Sequence, residues 1–264
     1  LGIAACFPSF IPHAFAYTSH SVAHSIAQYN HGFFTLLARE MMRREMMETD
    51  HEFGYLAVPT AGSGPGILVL QEWWGLVPHI KDIADRLAAA GYVALAPDLY
   101  RGTTTDSPDE AGRMLMALNI EQAAQDLEQA ATFLANHEAV TGEKLGVVGF
   151  CMGGQLALLA ATVSDRIGAA VDFYGIHPNV HPNFSRLKAP VLGFFGEQDS
   201  FVTPEAVEQL ISQIREAGKT IDTYTYPGAE HAFFNDTRPE VYNAEAASDA
   251  WQRTIAFFQD HLAA

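Results

Sequence analysis

Thiols are scarce in this chain: Cys6 and Cys151 are the only cysteines among 264 residues. Two cysteines permit one bridge at most, which excludes a disulfide framework, and with no CxxC pair a thiolate zinc site is excluded as well. Positive charge is scarce too. Fifteen Lys and Arg stand against 31 Asp and Glu, a formal net charge of −16, and such a chain repels a phosphate backbone, so nucleic acid is not an expected partner. Long apolar runs are missing: the longest apolar stretch is broken by Pro8 and Pro12, short of the ~20 residues of a membrane-spanning helix. No internal repeat is visible. What is present is a globular composition, 48% apolar and 17% charged, at a length that suits one domain burying roughly 70–75% of its unfolded surface.

Residues 1–38 lack charge altogether, yet hold four of the eleven histidines, His13, His20, His24 and His31. Ala14-Phe15-Ala16 has the small-x-small form of a signal cleavage site, but no basic segment precedes it. Residues 1–50 are read as an N-terminal extension: a leader, a family-specific addition, or sequence upstream of a start at Met41, Met42, Met46 or Met47. Its histidines lack metal-ligand spacing, and no metal is expected. The catalytic unit is expected over residues 51–264, as a cytoplasmic monomer or small homo-oligomer, or exported if residues 1–16 are the remnant of a signal peptide.

From Glu52 onward the pattern becomes regular. Phe53–Val58 reads as a short strand, and Ile67–Gln71 as a continuous apolar run of the kind found in strands buried on both faces. Pro78–Ala90 has helical spacing and stops at Gly91. Further strands are expected at Tyr92–Ala96, Lys144–Gly149, Ile167–Tyr174, Val191–Phe195 and Thr220–Tyr226. Helices are expected from a Ser107 cap to about His137, and at Met152–Val163, Pro204–Ala217 and Val241–His261. Met114, Met116 and Leu118 read as ordinary helix packing. Strands alternating with helices predict an α/β fold, a mostly parallel central sheet covered on both faces. In such sheets ligands bind beyond the carboxyl ends of the strands.

The chemistry concentrates in those loops. Gly149-Phe150-Cys151-Met152-Gly153-Gly154 follows a strand and opens a helix, the context of a nucleophile elbow with cysteine as nucleophile. A helix N-terminus beneath the thiol supplies backbone N–H groups for an oxyanion and a dipole that favours thiolate; the bland alternative is a buried structural cysteine. A free thiol has a pKa of ~8.5 and needs a base at neutral pH. Asp199, after the Val191–Phe195 strand, and His231, after the Thr220–Tyr226 strand, follow Cys151 in the order nucleophile, acid, histidine. Glu197 is the local rival acid. His177 and His181 are rival bases, but Pro178 separates them and they read as loop residues. Glu72, at the end of a buried run and followed by Trp73 and Trp74, is an acid whose desolvation would raise its pKa, or a carboxylate paired with an arginine. One of the two tryptophans is expected to be core and the other to line an acyl pocket.

These residues, with Gln71-Glu72-Trp73-Trp74-Gly75, Ala96-Pro97-Asp98-Leu99-Tyr100 and Glu230-His231-Ala232-Phe233, resemble the dienelactone hydrolase family, the carboxymethylenebutenolidases of the α/β-hydrolase fold, over about residues 53–262. The resemblance implies Cys151 as nucleophile, Asp199 as orienting acid, His231 as base, and Glu72 as the group that exchanges a proton with the resting thiol. The fold implies the backbone N–H groups of Met152 and Trp73 as oxyanion donors. No cofactor is implied. The expected substrate is a small ester or lactone, met by Arg101, Trp74, Tyr100, Asn235 and Phe233. The family holds an anionic lactone with arginines, and Arg101 lies near one such position. At the other this chain has Asn235, which lacks charge and a bidentate fork; Arg238 follows a little later. Neutral esters therefore stand beside dienelactone as expected substrates. The alternatives are a non-catalytic scaffold that binds a small ligand, and a redox-sensing thiol, for which Cys6 is a poor resolving partner.

Overall fold

The computed structural model describes residues 49–51 and 53–262. Cys6 and the four N-terminal histidines fall outside the described residues.

The strands are β1 (Thr49–His51), β2 (Gly54–Ala57), β3 (Gly64–Leu70), β4 (Val93–Pro97), β5 (Val140–Phe150), β6 (Ile167–Phe173), β7 (Val191–Gly196) and β8 (Ile221–Tyr226). They form one sheet in the order β1-β2-β4-β3-β5-β6-β7-β8. β1 and β2 are antiparallel to their neighbours and every other pairing is parallel. The helices are α1 (Pro78–Ala89), α2 (Pro108–Ala117), α3 (Ile120–Ala135), α4 (Met152–Val163), α5 (Pro204–Glu216) and α6 (Ala244–Leu262). This is the mostly parallel α/β sheet expected from the alternation, in the α/β-hydrolase form that the resemblance implies.

Residues successive in a strand point to opposite faces. On β5, Leu145 meets Leu134 of α3 around Gly66, and the next residue, Gly146, is packed by Phe258 and Leu262 of α6. α3 and α6 therefore cover opposite faces. α3 packs beside α4, and α1 joins α6, with the Arg86 guanidinium 4.8 Å from the Trp251 ring. Apart from Asp172 on β6, the buried stretches of the central strands are apolar, because helices cover them on both sides.

Several boundaries differ from expectation. β1 has no signal in the apolar pattern. β5 begins at Val140 because its exposed first residues pair with Gly64 and Pro65 before a bulge, and only its second half is buried. The expected helical stretch after Ser107 breaks at Leu118, and Asn119 starts α3 by accepting the Gln122 N–H. α6 starts at Ala244 rather than Val241, capped by Asn243. Ala111 is the only fully buried residue of α2, and Met116 is 56% exposed. α2 therefore does not pack as an ordinary core helix. Its Leu115 lines a cavity at the sheet's carboxyl end, and Met114 and Leu118 border a separate surface cleft.

Candidate active site

β5 ends at Phe150 and α4 begins at Met152, so Cys151 alone makes the turn between them. It adopts φ 54° and ψ −120°, a conformation that costs a non-glycine residue about 1–3 kcal/mol and persists only where its surroundings enforce it. The Cys151 N–H donates to the Phe173 carbonyl at 3.0 Å, and its own carbonyl accepts the Gly154 N–H at 2.9 Å and the Ile176 N–H at 3.2 Å. Strand and helix approach so closely that a methyl added at Gly149 would stand 1.8 Å from the Gly153 carbonyl oxygen, and one at Gly153 would stand 2.3 Å from that of Leu70. Gly149→Ala is expected to overpack this turn by about 3 kcal/mol, lowering Tm by roughly 6–12 °C for a domain of this size. Thermal unfolding followed by circular dichroism reads the shift, and an unchanged Tm would show that the turn yields.

The post-β7 and post-β8 loops bring Asp199 and His231 together, Nδ1 to Oδ2 at 2.7 Å. The other oxygen of Asp199 accepts the Phe201 and Val202 N–H groups, each at 2.8 Å. Nδ1 is thus the donor toward the carboxylate, which leaves Nε2 as the ring atom for Cys151. Burial opposes protonation of His231, but hydrogen bonds to Asp199 and Cys151 and the charges on both outweigh it, raising its pKa to about 10. His231 is thus held between the Asp199 carboxylate and the Cys151 side chain. Glu197 does not compete; it is exposed and accepts the Gly228 N–H at 3.1 Å.

Glu72 lies beyond β3 and is 1% exposed. One oxygen accepts from the Asn235 side-chain amide at 2.9 Å, and the other has no hydrogen-bond partner among the described residues. Burial pushes its pKa up, against the lowering influence of His231, the Asn235 hydrogen bond and Arg238. The orientation of Asn235 is fixed: its carbonyl oxygen takes both the Thr237 N–H, at 3.1 Å, and the Thr237 hydroxyl, at 2.6 Å, so its NH2 must face Glu72. The close approach of Gly153 to the end of β3 sets the start of α4 against the segment leading to Glu72 and Trp73, which is where paired N–H donors for an oxyanion are needed. Among the described residues no three His, Cys, Asp or Glu side chains cluster as metal ligands, and no described helix is long and apolar enough to cross a membrane.

Residues 53–262 match the model of the dienelactone hydrolase family. The chain belongs to that family. A protein of Aquifex pyrophilus named protein usf is 36% identical over 216 residues, 79% of this chain and 93% of that protein. A "putative carboxymethylenebutenolidase" of Aquifex aeolicus is 33% identical over the same shares of the two chains. A crystal structure titled "putative dienelactone hydrolase", from Klebsiella pneumoniae, superposes with a TM-score of 0.71 at 34% identity, covering 78% of this chain and 92% of that one.

In this dienelactone hydrolase family member, Glu72, Cys151 and His231 share the wall of one cavity of about 410 Å³. Trp73 and Trp74 both line it and both are half-buried, so neither is confined to the core. The residues expected to meet substrate fare differently. Arg101 and Tyr100 border the separate surface cleft, and Arg101 is turned out to Asp126 at 3.5 Å with its side chain 71% exposed. The Tyr100 hydroxyl donates to Met152 Sδ at 3.1 Å, behind the proposed oxyanion donor. Phe233 is fully buried among aromatic rings, and Asn235 is spent on Glu72. The cation on the cavity wall is Arg238, its guanidinium 5.7 Å from the Trp74 ring and its Nε donating to Glu240 at 2.9 Å.

Two further rings pack on His231: Phe201 tilts over it at 5.1 Å, and Tyr174 meets it edge-on at 5.1 Å. No periodicity marks either. His177 is neither base nor ligand: its Nδ1 accepts the Asn179 N–H, so its Nε2–H donates to the Leu115 carbonyl at 3.1 Å and pins α2 over the cavity. Burial holds its pKa down. His181 is exposed.

Proposed function

We propose that this dienelactone hydrolase family member hydrolyses carboxylic esters or lactones through a thioester on Cys151. The carrying observation is the hydrogen-bonded Asp199–His231 pair converging with a strained Cys151 on one cavity. Thiolate attacks the carbonyl carbon, and the oxyanion is held by the Met152 and Trp73 N–H groups. His231 protonates the leaving alkoxide. Water then attacks the thioester, His231 takes its proton and the thiolate departs. Glu72, buried and raised in pKa, is suited to exchange a proton with the thiol while substrate enters.

The cavity wall favours an apolar substrate body: Trp73, Trp74, Leu115, Ile176 and Phe201 contribute to it, and Arg238 is its cation. A neutral ester needs no guanidinium. A lactone bearing a carboxylate would draw Arg238 away from Glu240. A hydrolysis panel comparing dienelactone with short p-nitrophenyl esters, combined with mass spectrometry of the acylated Cys151 peptide, tests the reading, and turnover of neither class would overturn it. Arg238→Gln is expected to raise KM for dienelactone roughly tenfold, the worth of one charge-assisted hydrogen bond, and to leave KM for p-nitrophenyl acetate unchanged. Equal effects on both substrates would remove Arg238 from carboxylate recognition.

A further inference from the structure

β6 is an apolar strand with one exception. Asp172, its penultimate residue, is fully buried. The sequence clears space for it on every side. Its register neighbours on β5 and β7 are Gly149 and Gly193. A methyl added at either Gly154 or Gly175 would stand 2.2 Å from its Oδ1. The carboxyl is thus wedged between the strand end and the first turn of α4, directly behind the nucleophile elbow. Neither oxygen completes a hydrogen bond with any described residue, although the Gly175 N–H faces it.

The chain around this niche holds Cys151. Phe173 accepts the Cys151 N–H and Ile176 donates to the Cys151 carbonyl, so residues 172–176 grip the elbow from both ends, with Tyr174 bent to φ 43° between them. We propose that Asp172 is a positioning residue for Cys151, its buried carboxyl seating the elbow while neutral and opposing the thiolate when ionised. The proposal rests on the reading of Cys151 as a reactive thiol.

An isolated carboxylate in an apolar niche is strongly disfavoured against the neutral acid. Burial raises the pKa of Asp172 to about 7. Among the described residues no cation pairs with it. α4 has no charged residue; β5 carries Glu143 and Lys144 at its exposed start, Lys144 donating to the Asp165 carbonyl, and leads at its other end to Cys151. β7 brings no charge between Val191 and Gly196, and beyond it Asp199 is committed to His231. The chain after β6 brings the Tyr174 hydroxyl, His177, whose pKa burial lowers, and His181 and Arg186, the last two exposed. On α6, Glu245, Asp260 and His261 are exposed and Asp249 pairs with Arg253. When neutral, the carboxyl leaves the positive end of α4 to the thiolate. When ionised, it places a negative charge beside the first turn of α4 and raises the thiol pKa.

The test is the pH dependence of Cys151 alkylation by iodoacetamide, followed on the Cys151 peptide in wild type and Asp172→Asn. This readout needs no substrate, so it fails independently of the hydrolysis assignment. The two profiles are expected to coincide up to about pH 6 and to separate above about pH 7, with the Asp172→Asn midpoint lower by roughly one pH unit. Superimposed profiles would overturn the proposal, because a merely space-filling Asp172 leaves the thiol's titration unchanged. Should Asp172→Asn not fold, 13C-carboxyl NMR of aspartate-labelled wild type decides: one aspartate titrating near neutral pH is expected, and titration of every aspartate in the ordinary acid range sinks the idea.

Discussion

Cys151→Ala is expected to lower kcat/KM for any ester the enzyme accepts by at least ~10⁴-fold, leaving only the residual rate that a binding site and oxyanion donors supply without a nucleophile. The substitution deletes one sulfur from a side chain that is 7% exposed. The backbone hydrogen bonds that hold the turn, to Phe173, Gly154 and Ile176, do not involve it. Alanine and cysteine carry the same Cβ into the same positive-φ conformation, so the fold and its Tm are expected to survive, which separates loss of chemistry from loss of structure. Cys151→Ser is expected to retain a small activity, since serine keeps an attacking atom but its hydroxyl is far harder to ionise beside His231. Initial rates with p-nitrophenyl esters, and the disappearance of the acyl adduct from the peptide map, read both variants. Undiminished hydrolysis by the alanine variant would mean that another group attacks.

How much of this site was visible beforehand differs residue by residue. The elbow was legible because its requirements are local: a buried strand, two glycines where an added methyl would collide with backbone, and a helix that starts at once. Asp199 and His231 were legible because each follows a strand in a parallel sheet, and such loops share one edge. Glu72's partner was not, since Asn235 lies 163 residues away and only the folded chain shows the amide fixed by Thr237. Arg101 was assigned by distance along the chain, which says nothing about direction. The Asp98 carboxylate accepts the Tyr100 and Gly102 N–H groups, and Arg101 takes φ 53° between them, which aims its side chain at Asp126 and away from the cavity. Asp172 escaped because it sits inside an apolar run and was averaged into it. The glycines that house it come from four separate segments. β1 and the first half of β5 carry no hydrophobic alternation, so pairing alone reveals them.

Asp199→Asn is expected to cost about 10⁴-fold in kcat with the fold intact, and the hydrogen bonds around position 199 show why. Oδ1 accepts two N–H groups, from Phe201 and Val202, and Oδ2 accepts His231 Nδ1–H. Asparagine has one acceptor oxygen and one donor NH2. Two backbone donors outcompete one, so the oxygen stays with Phe201 and Val202 and the NH2 turns to His231. Nδ1 must then accept, the ring proton moves to Nε2, and the atom facing Cys151 becomes a donor with no capacity to take the thiol's proton. The lost carboxylate is also among the influences that raise the His231 pKa to about 10 against the opposing effect of burial, so imidazolium in the variant is disfavoured. For a group whose folded pKa lies above its unfolded value, protonation adds stability that is complete below the unfolded pKa, near 6.5, and lost as pH rises through the folded one. The Tm deficit of Asp199→Asn against wild type is therefore expected to be largest at or below about pH 6.5 and to shrink toward about pH 10. A deficit that grew with pH across that window would show that Asp199 does not hold the imidazole protonated. Asp199→Glu, which keeps the charge but displaces it by one methylene, is expected to restore the pH trend without restoring the rate, because the tautomer is recovered and the ring is misplaced.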